Sequence, residues 1–386
     1  MKKLAKILIV LSVVLLPLSG CQRHIYNGNA PTKDEIKIGV DMELSGPLAI
    51  YGQECLKGAE LATEQINKDG GLLGRKVKLV IKDNKSSALE AALTAANLAS
   101  RAHVVAIFGA ATSGAVKAMV PSATTAKVPV LTPTATNDAI THDPKAKIEY
   151  IFRGTFPDSY QGLIIGKYLN QIGAKRVAVL MDNSNDYCLE LDKSFQKTYK
   201  GEIVERDNFI SGDKNFQAQL TKIKSQNVDA LFVPAYFNEA GLIIKQAREM
   251  GINCPIFGAD GFSSETLGEI AGDKNVSNVY YTDTFNLDAK PQSPLAQPFV
   301  DAYKKKFGKE PSSFASLSYD TMEMLFVAIK KSGDGTSANI TKQLALIKNL
   351  QGVSGDVTIN KFHDAEKPVV MVKKMDNKIV SAEFIK

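Results

Sequence analysis

Several short stretches carry side chains that could meet a ligand. In FGAATSG, Thr112 and Ser113 open a helix, where backbone N–H groups lack intrahelical partners. A hydroxyl beside such donors suits a carboxylate, although the same serine serves equally as a plain helix cap. LTPTATND places Thr134 and Thr136 after a proline-limited strand. Their hydroxyls either face a ligand or close their own turn. GADGF sets Asp260 at a strand end, where a carboxylate receives an ammonium group or, as an Asp-Gly pair, simply turns the chain. Tyr187 in NDY and Tyr236 in PAYFNE stand at two more strand ends, as ligand walls or as packing. Tyr51, in SGPLAIYGQECLKG, rides a polar turn into an amphipathic helix with no nucleophile or metal-ligand set nearby. Donors for an anion, an acid for a cation and flat aromatic walls together complement a zwitterionic small molecule with an apolar side chain.

Catalytic and cofactor motifs are missing. The chain holds no G-x-x-x-x-G-K-[ST], G-x-G-x-x-G, H-E-x-x-H or G-x-S-x-G. The reading is therefore of a binder, not an enzyme, with no cofactor and no metal. Besides Cys21 there are Cys55, Cys188 and Cys254, without C-x-x-C spacing, so at most one intrachain disulfide forms and none is assigned. The four histidines are isolated.

The elements that must position these residues follow a simple rhythm. EIKIGVDMEL reads as a strand, a helix follows around residues 56–67, and KVKLVIKDN is the next strand. ALEAALTAANLASRA is helical, VVAIFG precedes a helix from near Ser113, and VPVLTP closes the run. Such alternation indicates βα units on a parallel sheet. IEYIFRGTFPDSYQG interrupts it, and a second series begins with the strands KRVAVLMD, EIVERDNF, DALFVPAY, CPIFGAD and NVYYTD. Residues 293–350 read as helical, and the end as strands with a hairpin at DN. Ligands of open α/β sheets bind beyond the carboxyl ends of the strands, so two such sheets facing each other across a hinge make a cleft.

The chain begins MKKLAKILIVLSVVLLPLSGC, a basic n-region followed by an uncharged apolar run too short to span a bilayer comfortably. It reads as a signal peptide over residues 1–20. LSGC resembles a bacterial lipobox, which makes Cys21 the lipidated first residue of the mature chain; an ordinary signal peptide beside a chance cysteine is the alternative. Residues 21–34 read as a polar tether. The formal charge of +6 loses three lysines and no acids with residues 1–20, leaving +3 on scattered positions. Nothing in that distribution argues for nucleic acid.

IGVDMELSGPLAIYGQECLKGAELATEQINKDGGLLGRKVKLVIKDN, VVAIFGAATSG, VPVLTPTATND, FRGTFPDSYQG, VAVLMDNSNDY, VPAYFNEAG and IFGADGF occur in that order. In these motifs the chain resembles the Leu/Ile/Val-binding family of periplasmic solute-binding proteins, which serve ABC importers. The resemblance implies a type I periplasmic-binding fold of class α/β: two Rossmann-like lobes with parallel central sheets, joined by a three-crossing hinge. The lobes would be 35–156 plus 286–354 and 157–285 plus 355–386. It further implies that Ser113 and Thr136, with a backbone contact at Thr134, hold an amino acid's carboxylate. Asp260 and Tyr187 would hold its ammonium, while Tyr51 and Tyr236 cover it. The implied function is capture of a branched-chain or other apolar amino acid, outside the cytoplasm, for delivery to an ABC permease. The protein would be a lipid-anchored monomer in a periplasm or at the cell exterior. Asp260 stands where the best-known members carry glutamate, Thr112 and Thr134 add hydroxyls, and the cysteine pair of some members is unmatched. An amide, urea or aromatic-acid binder, or a sensory domain of the same fold, is therefore the alternative.

Overall fold

The computed structural model describes residues 28–144 and 148–385. The signal peptide expected over residues 1–20, the lipidation expected at Cys21 and the start of the expected tether lie outside the described residues. The first lobe begins with β1 (Glu35–Met42), α1 (Ala49–Lys68), β2 (Lys76–Asp83), α2 (Ala88–Ser100), β3 (Ala106–Gly109), α3 (Ser113–Ala126) and β4 (Val130–Thr132). With β5 (Ile151–Arg153) the strands form a parallel sheet in the order β2-β1-β3-β4-β5. β1 lies inside the sheet, between β2 and β3, and its alternate residues Ile36, Ile38, Val40 and Met42 form one wholly buried apolar face. Each such side chain contributes about 1.5–3 kcal/mol of burial free energy. β5 falls inside the stretch that broke the sequence rhythm. Three residues are too short a run to show a period, and burial at the sheet edge decides the matter.

The second lobe takes α4 (Asp158–Gln171), β6 (Arg176–Asp182), α5 (Asp186–Gln196), β7 (Glu202–Phe209), α6 (Gln217–Ser225), β8 (Ala230–Phe232), α7 (Phe237–Glu249), β9 (Ile256–Gly258), α8 (Glu265–Ala271) and β10 (Val279–Asp283). The chain then returns to the first lobe as α9 (Ala296–Phe307), α10 (Ser313–Ser332) and α11 (Ser337–Leu344), with α10 packed along α1. A small ladder, β11 (Thr358–Ile359) with β12 (Ala365–Glu366), precedes β13 (Val369–Met375) and β14 (Lys378–Ile385). The second sheet runs β14-β13-β10-β9-β8-β6-β7. It departs from an all-parallel sheet in one respect: β13 pairs antiparallel with β10, and β14 antiparallel with β13. Asp376 and Asn377, both at positive φ (48° and 59°), make the tight turn between the last two strands.

The chain thus passes between the lobes three times, after β5, after β10 and before β13. Two buried ion pairs brace the third passage. Arg153 Nε donates to Asp364 Oδ1 at 2.6 Å, and Lys367 Nζ to Asp320 Oδ2 at 3.1 Å. All four side chains are at least nine-tenths buried.

Candidate functional site

The seven side chains singled out in the sequence lie around one narrow cavity between the lobes, completed by Ala111, Gly261 and Phe314. From the first lobe, the loop after β3 and the start of α3 supply Ser113. Its Oγ accepts from the backbone N–H groups of Thr136 (3.3 Å) and Asn137 (3.1 Å). A serine oxygen that accepts twice has its own proton left to give. Thr134 spends its hydroxyl on the Ala111 carbonyl at 2.8 Å. Arg153 Nη1 and the N–H of Asp158 both bind the Thr136 carbonyl, which fixes this loop to β5 and α4.

Thr112 does not serve the cavity in the way its neighbour does. The buried carboxylate of Glu43, just past β1, occupies the start of α3. It accepts from Ala111 N (2.9 Å), Thr112 N (3.1 Å) and Thr112 Oγ1 (2.7 Å). The orphan donors that the sequence offered to a ligand at Thr112 are thus satisfied within the protein. Sequence reasoning missed Glu43 because the pairing spans 68 residues. Its one visible signal is an acid directly after a strand otherwise buried.

From the second lobe, Asn185 caps α5 by accepting from Cys188 N at 2.9 Å, which turns Tyr187 toward the cleft. Tyr187 Oη donates to Asp260 Oδ1 at 2.8 Å and accepts from Gly261 N at 2.9 Å. Its ring stacks on that of Tyr236, centroids 4.9 Å apart and 4° from parallel. Gln161, wholly buried on α4, is a second partner the sequence did not reveal. Its Nε2 donates to Asp260 Oδ1 (3.0 Å) and Asp158 Oδ1 (3.2 Å), while Oε1 accepts from Asp260 N (3.2 Å) and Thr282 Oγ1 (2.7 Å). Burial pushes the Asp260 carboxyl up to about 6, the Gln161 and Tyr187 hydrogen bonds pull it back, and the charge of Asp283 raises it further. Burial and the charge of Asp260 hold Asp158 well above the usual carboxylate range. Among the described residues nothing donates to Asp158 Oδ2.

Tyr51 joins the halves. Its Oη donates across the cleft to the Gly261 carbonyl at 2.5 Å and accepts from Phe237 N at 3.4 Å. Its ring stacks on Phe314 at 4.6 Å and meets Tyr236 and Phe237 edge-on. Gly52 is required beside it, since a Cβ there would stand 2.2 Å from the Glu43 carbonyl oxygen. Further out, Lys117 pairs with Asp186 at 3.0 Å, Asn137 Nδ2 donates to the Asp186 carbonyl at 2.8 Å, and Asn238 Nδ2 to that of Pro47 at 2.8 Å. The lobes are therefore closed on the cavity. Hydroxyl donors face a carboxylate across a space walled by rings, and among the described residues no side chain there is placed as a nucleophile with its base.

Two α/β lobes, three connections and an enclosed interlobe cavity define a solute-binding fold. The sequence matches the periplasmic binding protein family over residues 35–378, and the chain belongs to that family. It is 30% identical to the Leu/Ile/Val-binding protein BraC3 of Rhizobium johnstonii, over 90% of this chain and 94% of that one. It is 29% identical to the Leu/Ile/Val-binding protein of Escherichia coli K12, over 85% and 87% respectively. Among solved structures it is similar to the branched-chain amino acid transporter substrate-binding protein LivJ of Streptococcus pneumoniae in complex with isoleucine. That likeness has a TM-score of 0.87 and 43% identity, over 92% of this chain and all of the other. The leucine-binding protein LivK of Thermotoga maritima follows with a TM-score of 0.84 and 32% identity, over 91% and 98%.

Proposed function

We propose that this chain is the extracytoplasmic solute-binding protein of an ABC importer, and that it captures a branched-chain or similar apolar amino acid between its lobes. One observation carries the reading: Ser113 and Thr136 of one lobe face Asp260 and Tyr187 of the other across a small closed cavity with aromatic walls. The carboxylate of the guest takes the Ser113 and Thr136 hydroxyls and backbone donors near Thr134. Its ammonium takes Asp260, which Gln161 and Tyr187 hold in place. Tyr51, Tyr236 and Phe314 enclose the side chain. The guest binds the first lobe, and closure then adds the second lobe's contacts, so affinity measures how much better the closed state is satisfied. An aromatic acid without an ammonium would leave the Asp260 carboxylate enclosed without a counter-charge, which is costly. The lobes are assigned to 35–156 plus 286–354 and 157–285 plus 355–386. The mature protein acts as a monomer, tethered by a lipid on Cys21.

Calorimetric titration of the mature chain with isoleucine, leucine and valine, against glutamine, urea and benzoate, tests this. Binding confined to the apolar amino acids, with the guest recovered unaltered by mass spectrometry, is expected. Binding of benzoate or urea alone would overturn the choice of guest, and a chemically altered guest would overturn reversible capture.

A further inference from the structure

The stacked pair Tyr51 and Phe314 has a second side. Beyond it lies a larger cavity, of about 320 Å³, lined from both lobes and from the second passage between them. Its volume is in the range of small-molecule sites. The wall contains a residue at odds with its strand. Along β13, Val370 and Val372 face the core, and Lys374 follows them on that side, beside a bulge that shifts the register between Lys373 and Lys374. Lys374 is only 8% exposed.

The acids of this wall have hydrogen-bond partners of their own or face water, and Lys374 feels the charges of Asp283, Glu265 and Asp273 without a direct ion pair to any of them. Asp283 accepts from Ser263 Oγ at 2.6 Å and from Thr284 N at 2.7 Å. Glu54 is held by Lys57 and Lys309 at 2.8 and 2.7 Å, and Glu310 by Lys304 at 2.7 Å. Lys374 Nζ, with three donors, has one hydrogen bond, to Asn377 Oδ1 at 3.1 Å, and stands 5.8 Å from the centroid of the Tyr281 ring. Among the described residues no carboxylate lies within ion-pair distance of it. A buried ammonium with donors to spare, opening on a cavity of mixed lining with Tyr281, Phe285 and Phe314 on one wall, is matched by an anion on an apolar body. Glu265 and Asp288 are exposed on the same lining and disfavour a second negative charge.

We propose that this cavity is a second small-molecule site, which takes a monoanion with an aromatic-sized apolar body: the anionic group on Lys374, the body against Tyr281, Phe285 and Phe314. An occupant touches both lobes, the passage between them and the far side of the wall that encloses the first guest. Its affinity is therefore coupled to closure, and the coupling is reciprocal. The inference does not depend on which guest the cleft itself takes.

The probe is 1-anilinonaphthalene-8-sulfonate, an aromatic monoanion, titrated by fluorescence against the mature chain and its Lys374→Met and Lys374→Gln variants, with and without saturating isoleucine. One equivalent is expected to bind, at least tenfold more weakly in both variants, and to remain bound at one equivalent when isoleucine is present. Thermal unfolding by circular dichroism shows that the variants fold; removing a poorly solvated buried charge is expected to leave the midpoint unchanged or raise it. Equal affinity in the folded variants, or one-for-one displacement by isoleucine, overturns the proposal. If isoleucine changes neither the probe signal nor the melting point, the reading of the cleft fails instead, and the Lys374 comparison still decides this site.

Discussion

At the scale of single residues, recognition turns on how few groups are left uncommitted. Thr134 gives its hydroxyl to Ala111, Thr112 gives its own to Glu43, and Ser113 alone of the three accepts twice and keeps its proton. Ser113→Ala should then cost roughly 1.5–3 kcal/mol of affinity, the value of a hydrogen bond to a charged group. Asp260→Ala should cost roughly 2–5 kcal/mol, since it leaves the guest's ammonium buried without its partner. Both are read by calorimetry, and unchanged binding in either variant removes that residue's role. The pH dependence has a definite sign. Within the closed lobes burial makes Asp260 hold its proton below about 6, and the ammonium needs the ionised form. Affinity should be flat above about pH 7 and weaken as pH falls through 6, approaching tenfold per unit near pH 5. Titrations in buffers of different ionisation heat should show proton release near pH 5.5 and almost none at 7.5. A constant affinity from pH 5 to 8 contradicts this.

At the scale of elements, the site is built from the ends of strands and starts of helices, and these were largely legible. β1 to β4, β6 to β10 and the principal helices follow from alternating β-branched runs and amphipathic stretches, because each buries one predictable face. The DN hairpin follows from the tolerance of Asp and Asn for positive φ. The seven residues proposed from the sequence line the interlobe cavity, while Ala111, Gly261 and Phe314 beside them were not singled out. What stayed hidden is the layer behind them. Glu43 meets Ala111 across 68 residues, Gln161 meets Asp260 across 99, and Arg153 meets Asp364 across 211. No local period encodes such pairs. Glu43 is the clearest test, because its carboxylate alone satisfies three donors at the start of α3. Glu43→Ala should lower stability by about 1–3 kcal/mol through those unpaired groups, measured by urea denaturation. A loss below a few tenths would show that α3 finds other acceptors.

At the scale of the whole molecule, closing and opening are confined to three passages, and the third is fastened by charges inside the protein. Arg153 binds Asp364 on that passage and the Thr136 carbonyl beside the cleft. The third passage and the Thr136 loop therefore share one guanidinium. Asp364→Asn strands a wholly buried arginine and should destabilise the fold by about 3–5 kcal/mol, with weaker guest binding at temperatures where the variant is still folded. Unfolding free energies equal to the parent protein's would deny the pair that role.

The most direct measurement is a crystal structure of the mature protein grown with isoleucine. The account predicts closed lobes around one intact isoleucine, its carboxylate on Ser113 and Thr136 and its ammonium on Asp260. An isoleucine seated outside the interlobe cavity, or bound there with Asp260 out of contact, would contradict it.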